Sequence, residues 1–343
     1  MSNTITPTFF IISAFYAILF ASFYGWGILT LTILKINMQA FSNRFFTTVW
    51  MGWAAVLLVM QVFHFFLPLD WRVSALVYGS GMAVGCFKIV VYIRDLFRSK
   101  SFSRNDAVRA IIFFCLILLA ARWAAFKGME AIGNYGPGYD SGLYHFNTIR
   151  WINSYPIIPG LGNLHGRLAF NQSFFLYAAS LNFFPYFSFG HVIANSFLFL
   201  LAFTDLAWHL YGLTQELHRA ALYDIFFFIP YLFGLAIVLY ISVSTNMSSP
   251  TPDIASALIQ TILYIWFIQI IDDIRNQKFS HDKVSTLLIL GTALITVKLS
   301  NLVFVASLIA ICLFYLVPHL LKESTNRTNY LRIFIFLIAT IMV

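Results

Sequence analysis

Two short stretches hold most of the side chains that could do chemistry. Tyr139-Asp140-Ser-Gly-Leu-Tyr144-His145 supplies a carboxylate, a phenol and an imidazole, with Arg150 close behind. Gly160-Leu-Gly-Asn-Leu-His165-Gly-Arg167 adds a second imidazole and a guanidinium among glycines. A carboxylate can accept the proton of an incoming hydroxyl. Arg and Lys can hold a phosphate and stabilise the charge left on it as a bond breaks, Arg as a planar fork and Lys as a point charge. The glycines allow close backbone approach. The set suits transfer of a group from a phosphate-linked donor to a hydroxyl. A bare helix N-cap at Asp140 competes with that reading. A cap, however, needs no His five residues on, no Arg ten residues on and no second cluster at His165-Gly-Arg167.

Two further positions join them. Asp253 follows Ser-Ser-Pro-Thr-Pro and begins an apolar run, so it is either another N-cap or a second acid facing Asp140. As a second acid it would orient the acceptor or share a divalent metal, Mg or Mn, with Asp140. Lys298 lies between two apolar runs in Val297-Lys298-Leu-Ser-Asn301, where snorkelling or phosphate contact would place a lysine. The candidate catalytic residues are Asp140, His145 and Asp253. The candidate binding residues are Tyr144, Arg150, His165, Arg167 and Lys298. No metal-ligand spacing links the histidines. Asp205 and His209, at i and i+4 in one apolar run, read as a structural pair. His64, near the end of its run, reads as interfacial.

The elements that must position these groups are membrane helices. The chain is 60% hydrophobic and 10% charged, with 38 Phe and a mean hydropathy of +0.81. A water-soluble domain of this size needs more polar surface, so the expected class is an all-α polytopic bundle. Apolar runs near 9–34, 45–67, 73–93, 109–126, 189–213, 225–243, 254–272, 284–298 and 301–318, with a last one starting near Arg332, give about ten spans. That last run is cut short at Val343, which reads as truncation of a longer chain. The first run lacks a cleavage-site pattern and reads as a retained span. The three Cys lie inside apolar runs and imply neither disulfides nor a metal site.

The run Ser173 to Phe184 is too short to span and ends at Pro185. Leaving it out puts fifteen of the 21 Lys and Arg on one side. Arg72, Arg122, Lys127, Arg150, Arg167 and Lys298 remain on the other, a division the positive-inside rule favours. Residues 127–188 then form one large non-cytoplasmic loop, and Ser173–Phe184 is an interfacial or re-entrant helix. Within the loop a helix is expected from Asp140 to about Ser154. Asp140, Tyr144 and Asn147 would share one face, with Phe146, Ile149 and Ile152 on the membrane. The 244–253 connection and Lys298 come out on the same face as Asp140.

The long outer loop, the early Asp in a D-x-x-x-Y context and the short helix ending in Pro together resemble the GT-C superfamily. These are integral-membrane glycosyltransferases that use polyprenyl-phosphate-linked sugars, among them protein O-mannosyltransferases and the lipid A aminoarabinose transferase. The resemblance covers roughly residues 109–300 and is nearest to a bacterial subgroup of undescribed activity. It implies that Asp140 is the loop aspartate, with a glycan, lipid or protein acceptor and membrane lipids as partners, and no nucleic acid. It also implies a bacterial inner membrane with the site on the periplasmic face, and envelope polysaccharide biosynthesis as the setting. Many members have Asp-Glu where this chain has Asp140-Ser141, and Phe170-Asn171-Gln172 replaces the usual Pro-Pro. Four spans precede the loop where the family core has one. Residues 1–108 therefore read as an extension and 109–343 as the catalytic module. Two other classes stay open: a transporter or flippase for a lipid-linked or anionic substrate, and a surface-polysaccharide polymerase or ligase.

Overall fold

The computed structural model describes residues 2–41, 43–98, 104–129, 139–169, 172–216, 222–276, 278 and 280–320. The final run near Arg332, the 133–138 turn and Phe170-Asn171 lie outside them. Every regular element among the described residues is helical: α1 (Ser2–Leu34), α2 (Arg44–Phe66), α3 (Trp71–Arg98), α4 (Arg104–Gly128), α5 (Phe146–Ser154), α6 (Ser173–Ser180), α7 (Ile193–Glu216), α8 (Leu222–Ser244), α9 (Pro252–Arg275), α10 (His281–Val297) and α11 (Asn301–Leu320). Among the described residues, six stretches are long and apolar enough to cross a membrane: Phe10–Leu34, Arg44–Phe66, Trp71–Asp95, Ile111–Gly128, Gly190–Gly212 and Pro252–Arg275. Shorter apolar helical stretches run over Phe228–Ser244 and Asn301–Ile311. Such helices mark a membrane protein, because a helix satisfies its own backbone in lipid and the described residues form no strand.

Small residues let the first three helices touch backbone to backbone. A methyl added at Gly52 would lie 1.6 Å from the Phe23 carbonyl oxygen, and one at Gly27 would lie 1.8 Å from that of Thr48. This is the packing expected where lipid and side chain are equally apolar and shape must drive association. Around it sits a core of buried aromatics including Phe23, Trp50, Trp53, Tyr177 and Phe197. α2 reaches across to pack on α6 and α10, so the N-terminal helices share that core.

The connections at one end of the bundle are tied by asparagines. Asn153 Nδ2 donates to the Leu69 carbonyl at 2.7 Å and the Ala179 carbonyl at 2.8 Å. Its Oδ1 accepts from Asn182 Nδ2 at 3.0 Å, and Asn182 Oδ1 accepts from the His191 amide at 3.0 Å. Asn153 and Asn182 are both buried. Four chain segments are thereby locked together beside the residues with chemical potential.

Several expectations are corrected here. The Asp140 stretch is not one regular helix: Ser141–His145 forms a π turn that leads into α5. Such insertions are frequent at functional sites. Ile149 and Ile152 face the protein interior, only 3% and 8% exposed, instead of the membrane. α6 stops at Ser180, and all eight of its residues are buried against α2, α5 and α10, so its partner is protein and not lipid. Apolarity alone could not tell lipid from protein as the partner. His64 is likewise buried within the protein. Asp205 and His209 are neighbours at 3.5 Å, but the carboxylate is also held by Asn43 Nδ2 and Trp50 Nε1, making a buried network.

Candidate functional site

Asp140 stands at the entry to the π turn, in helical backbone conformation and with no capping hydrogen bond from its side chain. Its carboxylate instead pairs with the Arg167 guanidinium. Asp253 is not a cap either. Thr251 holds that position, its Oγ1 accepting from the Asp253 amide at 3.3 Å, with Pro252 opening the helix. The Asp253 carboxylate is thereby left to pair with Lys298 Nζ. Capping, the plain alternative for both acids, is thus not what their side chains do.

Between the two ion pairs lie Tyr144 and His145. The Arg167 guanidinium sits 5.2 Å from the centre of the Tyr144 ring. The Tyr144 and His145 rings meet edge to face at 4.4 Å, with Phe175 behind both. Both carboxylates, Asp140 and Asp253, act electrostatically on both rings. Burial pushes the His145 pKa down to about 4, which the two carboxylates oppose and Arg167 assists. His145 is therefore neutral at pH 7, 2% exposed, and unsuited to bind phosphate as a cation. Burial and the two carboxylates raise the Tyr144 phenol above its usual value, against Arg167.

Polar tethers fix the cluster. Ser141 Oγ lies 3.2 Å from His145 Nδ1 and 2.6 Å from Ser249 Oγ, joining the π turn to the 245–251 connection. Asn195 Nδ2 donates to the Ser249 and Thr251 carbonyls at 2.8 and 2.9 Å, holding that connection against α7. Asn301 Nδ2 donates to Ser256 Oγ and to the Leu294 carbonyl, both at 3.0 Å. Gln260 Nε2 donates to Asn301 Oδ1 at 2.8 Å. The α10–α11 corner is therefore pinned to α9, and Lys298 is delivered to Asp253. Ser141, Ser249, Asn195 and Asn301 have no motif to announce them.

The structure brings together Asp140, Tyr144, His145, Arg167, Asp253 and Lys298. His165 is exposed at the edge, its Nδ1 accepting from the Arg167 amide at 3.3 Å, and orders that loop. Arg150 is exposed on α5, and it is Arg167 that pairs with Asp140. Asp140 and Asp253 already carry side-chain cations, and no group of three His, Cys, Asp or Glu forms a metal site among the described residues. That donor set does not fit a divalent ion.

The chain belongs to the family described as "Domain of unknown function (DUF8201)", whose model matches residues 9–343. No curated protein matches the chain, and no solved structure does.

Proposed function

We propose that this chain is a polytopic membrane glycosyltransferase of GT-C type. In this reading it has about ten spans and a large non-cytoplasmic loop over 127–188, and it works at the outer face of a bacterial inner membrane. It moves a sugar from a polyprenyl-phosphate donor to an acceptor hydroxyl. The observation that carries the reading is the pair of carboxylate–cation contacts, Asp140–Arg167 and Asp253–Lys298, flanking Tyr144 and His145 with neither acid used as a cap. At rest each cation is neutralised by a carboxylate. A donor phosphate competes for Arg167 and Lys298 and frees the acids. Asp140 then takes the proton of the acceptor hydroxyl, whose oxygen bonds to the anomeric carbon. The carbon–oxygen bond to phosphate breaks, and polyprenyl phosphate leaves with the electron pair, its charge held by the two cations. Asp253 orients the acceptor, and no step passes through a metal.

The buried Asp205 network is what a transporter would use, since ionisable groups inside spans mark pathways. Its members satisfy one another: Asn43 and Trp50 hold Asp205, while Gln269 Nε2 donates to the Tyr231 hydroxyl at 2.7 Å beside His209. It therefore reads as structural. The deciding experiment reconstitutes the full chain in liposomes with a panel of polyprenyl-phosphate sugars and follows release of polyprenyl phosphate. Release coupled to glycoside formation is expected. Substrate flux without glycoside formation would favour the transporter, and chain extension of a lipid-linked glycan the polymerase.

A further inference from the structure

A cleft of about 570 Å³ opens between the end of α2, the later part of α5, the 156–169 segment and Gln172. It falls within the size of small-molecule sites. It begins one helical turn beyond Tyr144, at Thr148, whose Oγ1 donates to the Tyr144 carbonyl at 2.9 Å. Leu168, next to Arg167, forms part of its wall. The Ile157 amide donates to the His64 carbonyl at 3.0 Å, tying the loop to α2.

Its lining is uncharged, largely apolar with Phe65, Ile152, Ile157 and Leu176 among its walls, and carries a few polar groups that are partly unsatisfied. Gln61, His64, Trp151, Asn163 and Gln172 contribute to it, and no Asp, Glu, Lys or Arg does. Gln61 and His64 are 3% and 8% exposed, yet Gln61 Oε1 and His64 Nδ1 have no hydrogen-bond partner, nor has Gln172 Oε1. The His64 ring meets the Leu67 backbone besides. Buried polar atoms are rarely left unpaired, and these three belong to side chains that line one cleft, where a rotation of each side chain would turn its unpaired atom towards a ligand. An ionised phosphate brings only acceptors and finds no cation here. A hydroxyl both donates and accepts, so it suits an amide in either orientation. The Trp151 indole offers an apolar face for a sugar ring.

We propose that this cleft binds a neutral, hydroxyl-rich carbohydrate, placed to serve as the glycan acceptor beside Asp140. The ligand class rests on the lining, and only the acceptor role rests on the transferase reading. The test uses the full chain in lipid nanodiscs. Methyl glucoside, methyl mannoside, methyl galactoside, N-acetylglucosamine and maltose are titrated by saturation-transfer NMR, with inorganic phosphate as competitor. At least one sugar is expected to bind saturably and to resist displacement by phosphate. Gln61→Leu should weaken that sugar tenfold or more while raising the melting temperature, because it removes a buried unpaired acceptor. Gln172→Leu is the second variant, should the first not fold. Failure of all five sugars to saturate, displacement by phosphate, or unchanged affinity in the folded variant overturns the proposal. Sugar binding should survive Asp140→Asn. Sugar binding with no transfer by the unaltered chain would remove the transferase reading and leave the cleft standing, whereas normal transfer with no sugar in the cleft would do the reverse.

Discussion

Asp140→Asn separates the proposed chemistry from structure more cleanly than any other single change. The Asp140–Arg167 pair is open to solvent, with side chains 54% and 41% exposed, so its loss should cost only about 0.2–1 kcal/mol of stability. No cap is lost, because the carboxylate makes no capping hydrogen bond. Removing a general base should instead slow transfer by roughly 10²–10⁴-fold, or about 2.7–5.4 kcal/mol at 1.36 kcal/mol per decade. The affinity for donor provides the sharper contrast. Asn competes less well than Asp for Arg167, so the donor KM should hold or fall while kcat collapses. Were Asp140 merely a strut for Arg167, the donor KM would rise and kcat would hold. The assay is sugar transfer from polyprenyl phosphate by the full chain in liposomes, with thermal melting of the same preparations. Near-normal kcat in Asp140→Asn would refute the base assignment, and a large fall in melting temperature would refute the assignment of the pair as an exposed one.

Other expectations follow from the same geometry. Arg167→Gln and Lys298→Gln should each raise the donor KM tenfold or more, since charged hydrogen bonds are worth roughly 1.5–3 kcal/mol. Arg167→Lys should rescue only in part, because the planar fork is lost; Arg150→Gln should do little, as Asp140 takes Arg167 for its partner and Arg150 is exposed. Equal effects of the three Gln variants would undo this division. Cysteines placed at 136 and 248 should both react with an impermeant outer-face reagent and one at 278 should not; labelling of 136 and 248 from opposite sides would overturn the topology. His145 has its pKa lowered from 6.5 to about 4, so the unfolded chain takes up the proton first as pH falls. Its contribution to stability is therefore complete above pH 6.5 and declines from there towards pH 4. His145→Gln should flatten that part of a melting-temperature profile, and an unchanged slope would show that His145 does not titrate this way.

The helical class and most helix positions could be read from the sequence because long apolar runs in a chain with 10% charged residues leave few alternatives. The site was legible as a set of residue types but not as a set of contacts. Arg150 is ten residues from Asp140 and looks like its natural partner, yet the loop returns Arg167 from 27 positions away. Whether Asp253 caps α9 could not be decided by pattern, since Thr251 two residues earlier serves as well and takes the role. The tethers Asn153, Asn195 and Asn301 act mainly on backbone carbonyls, which every residue possesses, so no pairing signal exists in the chain. The cleft joins Gln61 and His64 to a segment about a hundred residues later, and only the fold shows that these residues line it together.

In the proposed site the cations are fixed and Asp140 is free to move, while Asp253 keeps a hydrogen bond from Thr251 Oγ1 at 3.3 Å, which is the order that transfer requires. Arg167 keeps its place over the Tyr144 ring when its carboxylate partner leaves, because that contact does not depend on Asp140. Lys298 stays because Asn301 pins its corner to α9 through Ser256 and Gln260. Asp140 has no capping bond to hold it once a phosphate occupies Arg167. Donor binding and release of the base are then one event. An enzyme built this way spares its donor from water until the phosphate is seated, since no free carboxylate is present before that moment. The neutral His145 beneath, joined through Ser141 to Ser249, supports the two halves of the cluster without adding a charge that would compete for either partner.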